Sequence, residues 1–334
     1  MAVRNSSSLE DIVVVDDSSD TGSSSITVAG LICRLLAGAG ADVVRLRAVT
    51  GPCGIPHADL PAGLKVDRVG ALARADVVLT DDGDAMPSDI LERAVVVVIN
   101  DGGVDGHQMP TQVHELVAQT VTGAVFEHIP GRPAFNGMLL GTYGAAINAA
   151  TAVVAALLDR LSSGLGQRLD VSLTAGVVGF MGTVWSEFVV GDSKHGFAPI
   201  GADFPLYRCA DGQYVCVTPG PARRHLDVAA DAGRPTGLEL LREALDLDVD
   251  AAALRGTRRE DDLSRYYVNS DAIAEGFARV SSADIVKRLR AVDMSVEIVR
   301  PPGDAWDLPE VAARGLISKC HCGVEHIGFP IEGL

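Results

Sequence analysis

The sequence predicts an α/β protein with a parallel sheet and a second, smaller domain. In the first half of the chain, short β-branched runs alternate with helical patterns, and the runs are apolar at nearly every position. Strands of this kind, separated by helices, are typical of a parallel sheet that is covered on both faces. The chain has 334 residues, of which 47% are apolar, enough for a large domain and a smaller one.

Four strands are predicted before residue 101, at residues 12–15, 42–46, 75–80 and 95–100. Helices are predicted at 28–38 and at 143–160, and a fifth strand follows at 167–173. Small residues dominate the helix at 143–160, so we expect another backbone to approach it closely. No G-x-G-x-x-G motif follows the first strand, which argues against dinucleotide binding.

The pattern changes after Pro205. Residues 206–208 and 214–218, joined by a turn at 210–212, predict a β-hairpin, and residues 281–284 resemble a capping box that opens a helix at 285–292. A strand is predicted at 295–300. We therefore place a large domain at 1–204, a small domain at 205–300 and a C-terminal segment at 301–334 that returns to the large domain.

Composition excludes several functions. The net charge is −16 and no basic stripe offsets it, which argues against nucleic-acid binding. Residues 1–11 contain no apolar run, and the longest apolar stretch, 144–158, is too short to cross a bilayer. We therefore expect a cytoplasmic protein without a membrane partner. Cys320, His321 and Cys322 lack the usual zinc-ligand spacing, so no metal site is predicted.

Residues 144–173 carry an Ala-rich helix, the loop Gly164-Leu165-Gly166-Gln167 and the strand motif Asp170-Val171-Ser172-Leu173. In these features the chain resembles the class III CoA-transferase (CaiB/BaiF) family, which includes the α-methylacyl-CoA racemases. Four further stretches agree in the same order: LLAGAGADVVRL at 35–46, VHELVAQTVTG at 113–123, PLYRCADGQYVCV at 205–217 and LPEVAARGLI at 308–317. The resemblance therefore spans nearly the whole chain.

The resemblance implies a Rossmann-like large domain, a smaller α+β domain and two chains that interlock as a dimer. Members of the family move CoA between carboxylic acids or exchange the α-proton of an acyl-CoA. Coenzyme A or an acyl-CoA is therefore expected as a substrate, and no permanently bound cofactor is expected. A homodimer is expected, and a heteromer with an Asp-bearing paralogue is the alternative.

Thr142 occupies the position at which the transferases of the family carry their nucleophilic aspartate, just before the Ala-rich helix. No Asp or Glu lies between Glu127 and Asp159, so a shift of register does not restore a carboxylate. A hydroxyl can attack a thioester only if a base stands beside it. The alternative interpretation is that Thr142 is the N-cap of the helix.

His114 matches the position at which the racemases carry a histidine that moves the α-proton. The acid expected on the opposite face is the same missing aspartate, so only one-sided proton chemistry is predicted. The alternative is that His114 is a partly buried polar core residue.

Arg45 and Arg47 end the second strand, where the family places basic residues near the adenosine phosphates of CoA. The alternative for both is a surface ion pair. The basic N-x-G-K-R-S stretch of the family has no counterpart, because the chain is shortened after residue 60.

Two functions follow. The first is an acyl-CoA enzyme that uses Thr142 in place of the aspartate. The second is a catalytically inactive partner subunit, or a ligand-binding pseudoenzyme of the same fold.

Overall fold

A computed structural model describes residues 8–18, 26–46, 67–100, 114–126, 132–181, 187–190, 193–196, 206–218, 237–248, 270–301, 303–319 and 325–327. The chain divides into two compact units. Unit 1 comprises Met1–Glu127, Pro133–Gly182 and Trp306–Leu334, and unit 2 comprises His128–Arg132 and Thr183–Ala305. The domain boundaries at 204/205 and 300/301 stay predictions.

Unit 1 is built on a five-stranded sheet in the order β2-β1-β3-β4-β5. The strands are β1 (Val13–Asp16), β2 (Asp42–Arg45), β3 (Val77–Thr80), β4 (Val95–Asn100) and β5 (Gln167–Ser172). All neighbouring strands are parallel. Each predicted strand forms within two residues of its predicted bounds, and the parallel sheet is confirmed.

Helices bury both faces of this sheet. The helices around it are α1 (Val28–Gly38), α2 (Arg68–Arg74), α3 (Ser88–Arg93) and α5 (Leu140–Ser163). Val14 and Val77 pack against α1 and α5, whereas Val15 and Val78 pack against α2 and α3. Successive side chains of a strand point to opposite faces, so a sheet covered on both sides needs continuous apolar runs.

The longest helix, α5, is longer than the sequence predicted: it begins at Leu140 and ends at Ser163, and it is followed by the C-cap Gly164, which has a φ of 70°. Its backbone touches that of α6 (Leu173–Met181). A Cβ atom on Gly144 would lie 2.2 Å from the Gly176 carbonyl oxygen, so only glycine fits there. The expected close approach of another backbone is confirmed. By length and composition α5 could also span a membrane, but half of its most apolar window is buried inside the protein.

Unit 2 contains the antiparallel sheet β10-β9-β8 and its helices. Its elements are β6 (Glu187–Val190), β7 (Ser193–Gly196), β8 (Leu206–Arg208), β9 (Tyr214–Thr218), α7 (Gly237–Ala244), α8 (Ser270–Phe277), α9 (Ser282–Ala291) and β10 (Ser295–Ile298). The predicted hairpin is confirmed as β8–β9. Ser281 caps α9 by accepting from the Asp284 N–H, which confirms its capping role, and the helix begins at Ser282, three residues before the predicted start.

Three short elements complete the described chain and belong to unit 1. They are α4 (Glu115–Val121), α10 (Pro309–Ala313) and the hairpin formed by β11 (Ile317–Lys319) and β12 (Glu325–Ile327). Of these, α4 packs against α5 and α6 near the start of α5.

Candidate active site

Thr142 lies in the first turn of α5, where it is buried, with 6% of its surface exposed. The N-cap of the helix is Leu139, whose side chain makes no capping hydrogen bond. The interpretation of Thr142 as the N-cap is therefore wrong. The helix starts earlier because a side chain from α4 caps the first turn and because glycines let α6 pack directly against it.

The capping group is the carboxylate of Glu115. Its Oε1 accepts a hydrogen bond from the Gly141 N–H at 2.9 Å, and its Oε2 accepts from the Thr142 N–H at 2.8 Å. The first N–H groups of a helix have no partner within the helix, and a negative charge there opposes the helix dipole. Glu115 therefore stabilises the start of α5 from another helix.

The same carboxylate holds the hydroxyl of Thr142. Thr142 Oγ1 donates to Glu115 Oε2 at 2.8 Å. An acidic side chain therefore stands beside Thr142, although none is near it in the sequence. The sequence did not predict this neighbour, because Glu115 belongs to another helix and lies 27 residues earlier in the chain.

Gln119 fixes this carboxylate and the chain that precedes α5. It is fully buried. Its Nε2 donates to Glu115 Oε1 at 2.9 Å and to the Met138 carbonyl at 3.1 Å, while its Oε1 accepts from the Asn136 N–H at 3.0 Å. Each oxygen of Glu115 thus accepts two hydrogen bonds, which leaves the carboxylate little freedom to move.

Sequence reasoning missed both Glu115 and Gln119. The signal was present in VHELVAQTVTG, where an acid directly follows His114 and a polar residue follows the acid four positions later. Residues at this spacing share one face of a helix. A polar pair on a helix that otherwise carries an apolar face was the available clue, but its partner in space could not be predicted from the sequence.

His114 is the N-cap of α4, and its side chain makes no capping hydrogen bond. It is exposed, so the alternative of a partly buried core residue is wrong. The residue precedes Glu115 and therefore stands at the same end of α4 as the carboxylate. Its catalytic role stays a prediction.

Arg45 ends β2 and pairs with Asp16, the last residue of β1. Arg45 Nε lies 2.5 Å from Asp16 Oδ2, and the two side chains are only 6% and 3% exposed. The ion pair is therefore buried, and the alternative of a surface ion pair is wrong for Arg45. The reason is that β1 is an inner strand whose carboxyl end is covered. Contact of Arg45 with CoA phosphates stays a prediction, and Arg47 lies outside the described residues.

Other charged residues lie near Arg45 and Asp16, at the carboxyl edge of the sheet. Asp16 Oδ1 also accepts from the Ser18 hydroxyl at 2.6 Å, and Asp17 pairs with Arg68 at 2.5 Å. After β1 the chain forms β2 on one side of β1 and then β3 on its other side. Parallel sheets bind ligands at such a switch of strand order. This edge is the second candidate region of unit 1.

The buried Cys33 is not a reactive group. Burial, and next the Asp16 carboxylate, raise the pKa of the Cys33 thiol, so it stays protonated. Among the described residues, no three His, Cys, Asp or Glu side chains are placed to hold one metal ion. Cys320, His321 and Cys322 lie outside those residues.

The fold of this chain is similar to that of several solved structures. The structure is similar to that of a CAIB/BAIF family protein from Brucella suis, with a TM-score of 0.67, 17% identity, and coverage of 98% of this chain and 92% of that chain. It is also similar to a hypothetical protein from Mycobacterium tuberculosis, with a TM-score of 0.66, 18% identity and the same coverage, 98% and 92%. An orthorhombic crystal form of that protein gives a TM-score of 0.64 and 19% identity, again covering 98% and 92%.

The sequence matches CoA-transferase family III over residues 87–332. The chain therefore belongs to this family, which confirms the resemblance and the fold class. The matched range includes Glu115 and Thr142 and begins after Arg45. No curated protein matches the chain.

Proposed function

We propose that this chain is an acyl-CoA enzyme in which Thr142 replaces the nucleophilic aspartate of its family. The observation that carries the proposal is the hydrogen bond from the buried Thr142 hydroxyl to the Glu115 carboxylate, at 2.8 Å. A hydroxyl held by a base can act as a nucleophile. Membership of the family supplies the substrate class, which is CoA thioesters and the corresponding carboxylic acids.

Proton exchange at the α-carbon is the second reaction open to this site. His114 is exposed at the start of α4, next to Glu115 in the chain. A neutral imidazole there can take an α-proton from an acyl-CoA. Incubation of acyl-CoAs in D₂O tests this route, and loss of exchange in His114→Gln, with retained binding, is the expected result.

For CoA binding we propose Arg45 and Arg47 as the residues that face the adenosine phosphates. The pair with Asp16 holds the Arg45 guanidinium in place, but it also offsets its charge. We therefore expect Arg47→Ala to weaken CoA binding more than Arg45→Lys does. Equal affinities in both variants and in the unaltered protein would contradict this assignment.

We also propose a cytoplasmic homodimer of the interlocked type. Its support is an apolar stripe on α5 formed by Ile147, Val154, Leu158 and Leu161, which are 47%, 39%, 63% and 85% exposed. Their spacing places them on one side of the helix. A stripe of this length is typical of a surface that another chain covers. Light scattering on Leu158→Glu/Leu161→Glu tests the dimer, and an unchanged mass would count against it.

One observation favours the alternative, an inactive partner subunit or a pseudoenzyme. All the N–H groups of the first turn of α5 donate within the chain: Leu140 to the Met138 carbonyl, Tyr143 to the Leu139 carbonyl, and Gly141 and Thr142 to Glu115. The end of the helix therefore offers no backbone donor to a substrate oxyanion. On this alternative, Glu115 is only a cap.

Calorimetry with free CoA and a set of acyl-CoAs separates the two functions. An acyl-CoA enzyme binds at least one thioester and changes it chemically. No heat at millimolar ligand would favour the partner subunit, which co-purification from the native source would then test. Thr142→Asp is a second test, because a restored carboxylate is expected to raise CoA transfer only if the substrate pocket is retained.

A further inference from the structure

We infer that Thr142 and Glu115 act as a nucleophile and its base, and that the acceptor of the acyl group is water. The chain would then hydrolyse acyl-CoA thioesters through an ester on Thr142, instead of transferring CoA. This inference rests on the proposed function and deepens it by naming the reaction. It begins from the contacts of one hydroxyl.

The hydroxyl has a single orientation. Glu115 Oε2 accepts both the Thr142 N–H and the Thr142 Oγ1–H, each at 2.8 Å, so the side chain and backbone of one residue bind the same oxygen. An ionised carboxylate only accepts hydrogen bonds, so the hydroxyl must donate its proton. The lone pairs of Oγ1 therefore point away from Glu115.

The base is held by neutral donors. Gly141, Gln119 and Thr142 supply the hydrogen bonds to Glu115, and within the described part of the chain no Lys or Arg forms an ion pair with it. A carboxylate with a cationic partner would have its charge offset, as Asp16 has. Within the described residues no cation therefore offsets Glu115, and its Oε2 already accepts the hydrogen of the Thr142 hydroxyl, which is the contact that proton abstraction needs.

The reaction balances without another reagent. Thr142 Oγ1 attacks the thioester carbonyl as its proton passes to Glu115 Oε2, and the carbon–sulfur bond breaks. The CoA thiolate leaves with the proton from Glu115. Water then attacks the Thr142 ester and gives its proton to Glu115, which returns it to the Thr142 oxygen as the acid departs. The sum is thioester plus water giving carboxylic acid plus thiol.

The change from carboxylate to hydroxyl decides the acceptor. An aspartyl mixed anhydride is more reactive than a thioester, so it can return the acyl group to a thiol. A threonyl ester is less reactive than a thioester, so return to CoA is uphill and water becomes the acceptor. One substitution at position 142 therefore changes the expected reaction class while the substrate class stays the same.

The test uses the full-length protein with acetyl-CoA, butyryl-CoA and benzoyl-CoA. Thiol release is measured together with the mass of the peptide that contains residue 142 after acid quenching. Thr142→Val removes the hydroxyl but keeps the residue's size and its backbone bond to Glu115, so it should fold. We expect its thiol release to fall at least about a hundredfold with unchanged ligand affinity, and Glu115→Gln to fall by a similar factor.

Two control variants make the result specific. Thr151→Val alters an exposed threonine on the same helix and should leave thiol release unchanged. Thr142→Ser keeps a hydroxyl and should retain both activity and the acyl adduct, which a merely structural role for Thr142 does not predict.

The inference would be overturned by thiol release that persists in Thr142→Val, by an acyl adduct on another residue, or by formation of succinyl-CoA when succinate is added. Binding of a thioester without hydrolysis would overturn this inference alone. Absence of binding to all three thioesters would overturn the proposed function as well.

Discussion

The two units of the chain bury polar side chains to very different extents. Unit 1 buries them at the carboxyl edge of its parallel sheet and at the start of α5, whereas the core of unit 2 is apolar and contains the stacked rings of Tyr207 and Phe277, 4.4 Å apart. Among the described residues, the buried polar side chains of unit 1 are Asp16, Asp17, Ser18, Arg45, Thr80, Gln119 and Thr142, and that of unit 2 is Ser282.

This difference separates a unit arranged for chemistry from one arranged for packing. Burying a polar group costs free energy unless it is hydrogen-bonded, so such groups persist where they have partners or a task. In unit 1 the partners come from distant parts of the chain, as Glu115 and Thr142 do. In unit 2 the buried hydroxyl of Ser282 bonds to Asp211 at the surface.

The largest expected effect is in unit 1. Arg45→Met leaves Asp16 buried with Ser18 as its neutral partner, and breaking a buried pair in this way costs about 3–5 kcal/mol of unfolding free energy. In unit 2, Arg279→Met removes an exposed pair with Glu275, for which about 0–1 kcal/mol is expected. Urea unfolding measures both free energies, and equal losses in the two variants would contradict the expected difference between the units.

Unit 2 is expected to lose stability at alkaline pH. Burial raises the pKa of Tyr207 to about 12, and burial with the Asp211 charge raises the pKa of Cys209 to about 11. Each group becomes charged only by losing a proton, and burial in the folded state opposes that loss. The contribution of the two neutral groups to the unfolding free energy is therefore complete below about pH 9 and is lost as pH rises towards 12. For Tyr207 the loss is about 3 kcal/mol when the shift from 10.0 is fully expressed.

Tyr207→Phe keeps the ring stack and removes the titrating phenol. We expect this variant to keep more of its stability than the unaltered protein above pH 10, as measured by urea unfolding across the pH series. Identical pH profiles for the two proteins would show that Tyr207 ionises without cost in the folded state.

The next largest effect on stability is expected at the contact between α5 and α6 in unit 1. A Cβ on Gly176 would lie 2.3 Å from the Gly141 carbonyl oxygen, and backbone cannot yield as a side chain can. We expect Gly176→Ala to lower the unfolding free energy by about 1–3 kcal/mol. Gly179 of the same helix meets only the Asn148 side chain, at 3.1 Å, so Gly179→Ala should be neutral or stabilising.

The smallest effect concerns Asp211 at the surface of unit 2. Hydrogen bonds from the Ser282 hydroxyl and N–H lower the pKa of Asp211 below its ordinary 3.8. The stabilisation is therefore present above pH 3.8 and is lost as pH falls below it. Asp211→Asn should lower the melting temperature slightly at pH 7, and the difference should shrink towards pH 3. A difference that does not depend on pH would contradict this account.

Elements that depend on local interactions were predicted accurately, whereas those that depend on distant parts of the chain were not. The bounds of α1 and β4 agree with the structure to the residue, because apolar periodicity and flanking turn residues act locally. The start of α5 was misplaced by three residues, because Glu115 and α6 stabilise the extra residues from elsewhere in the chain. Local helix propensity does not depend on such a cap and therefore could not predict it.

The same distinction between local and distant interactions applies to the candidate site. Position 142 could be found from the Ala-rich helix that follows it, but its environment could not. The buried pair of Arg45 with Asp16 was not predicted, because nothing in the strand pattern shows that β1 is an inner strand with Asp16 at its end. Strand order depends on contacts between segments, and a single sequence does not reveal them.

By itself the sequence determined the class of fold, the family and the replacement of a carboxylate by the hydroxyl of Thr142. These follow from residue types, their order and their spacing along the chain. Only the tertiary structure decided that this hydroxyl has an acidic neighbour. The packing of α4 on α5 brings Glu115 within 2.8 Å of Thr142 across 27 residues, and a hydrogen bond depends on distance in space.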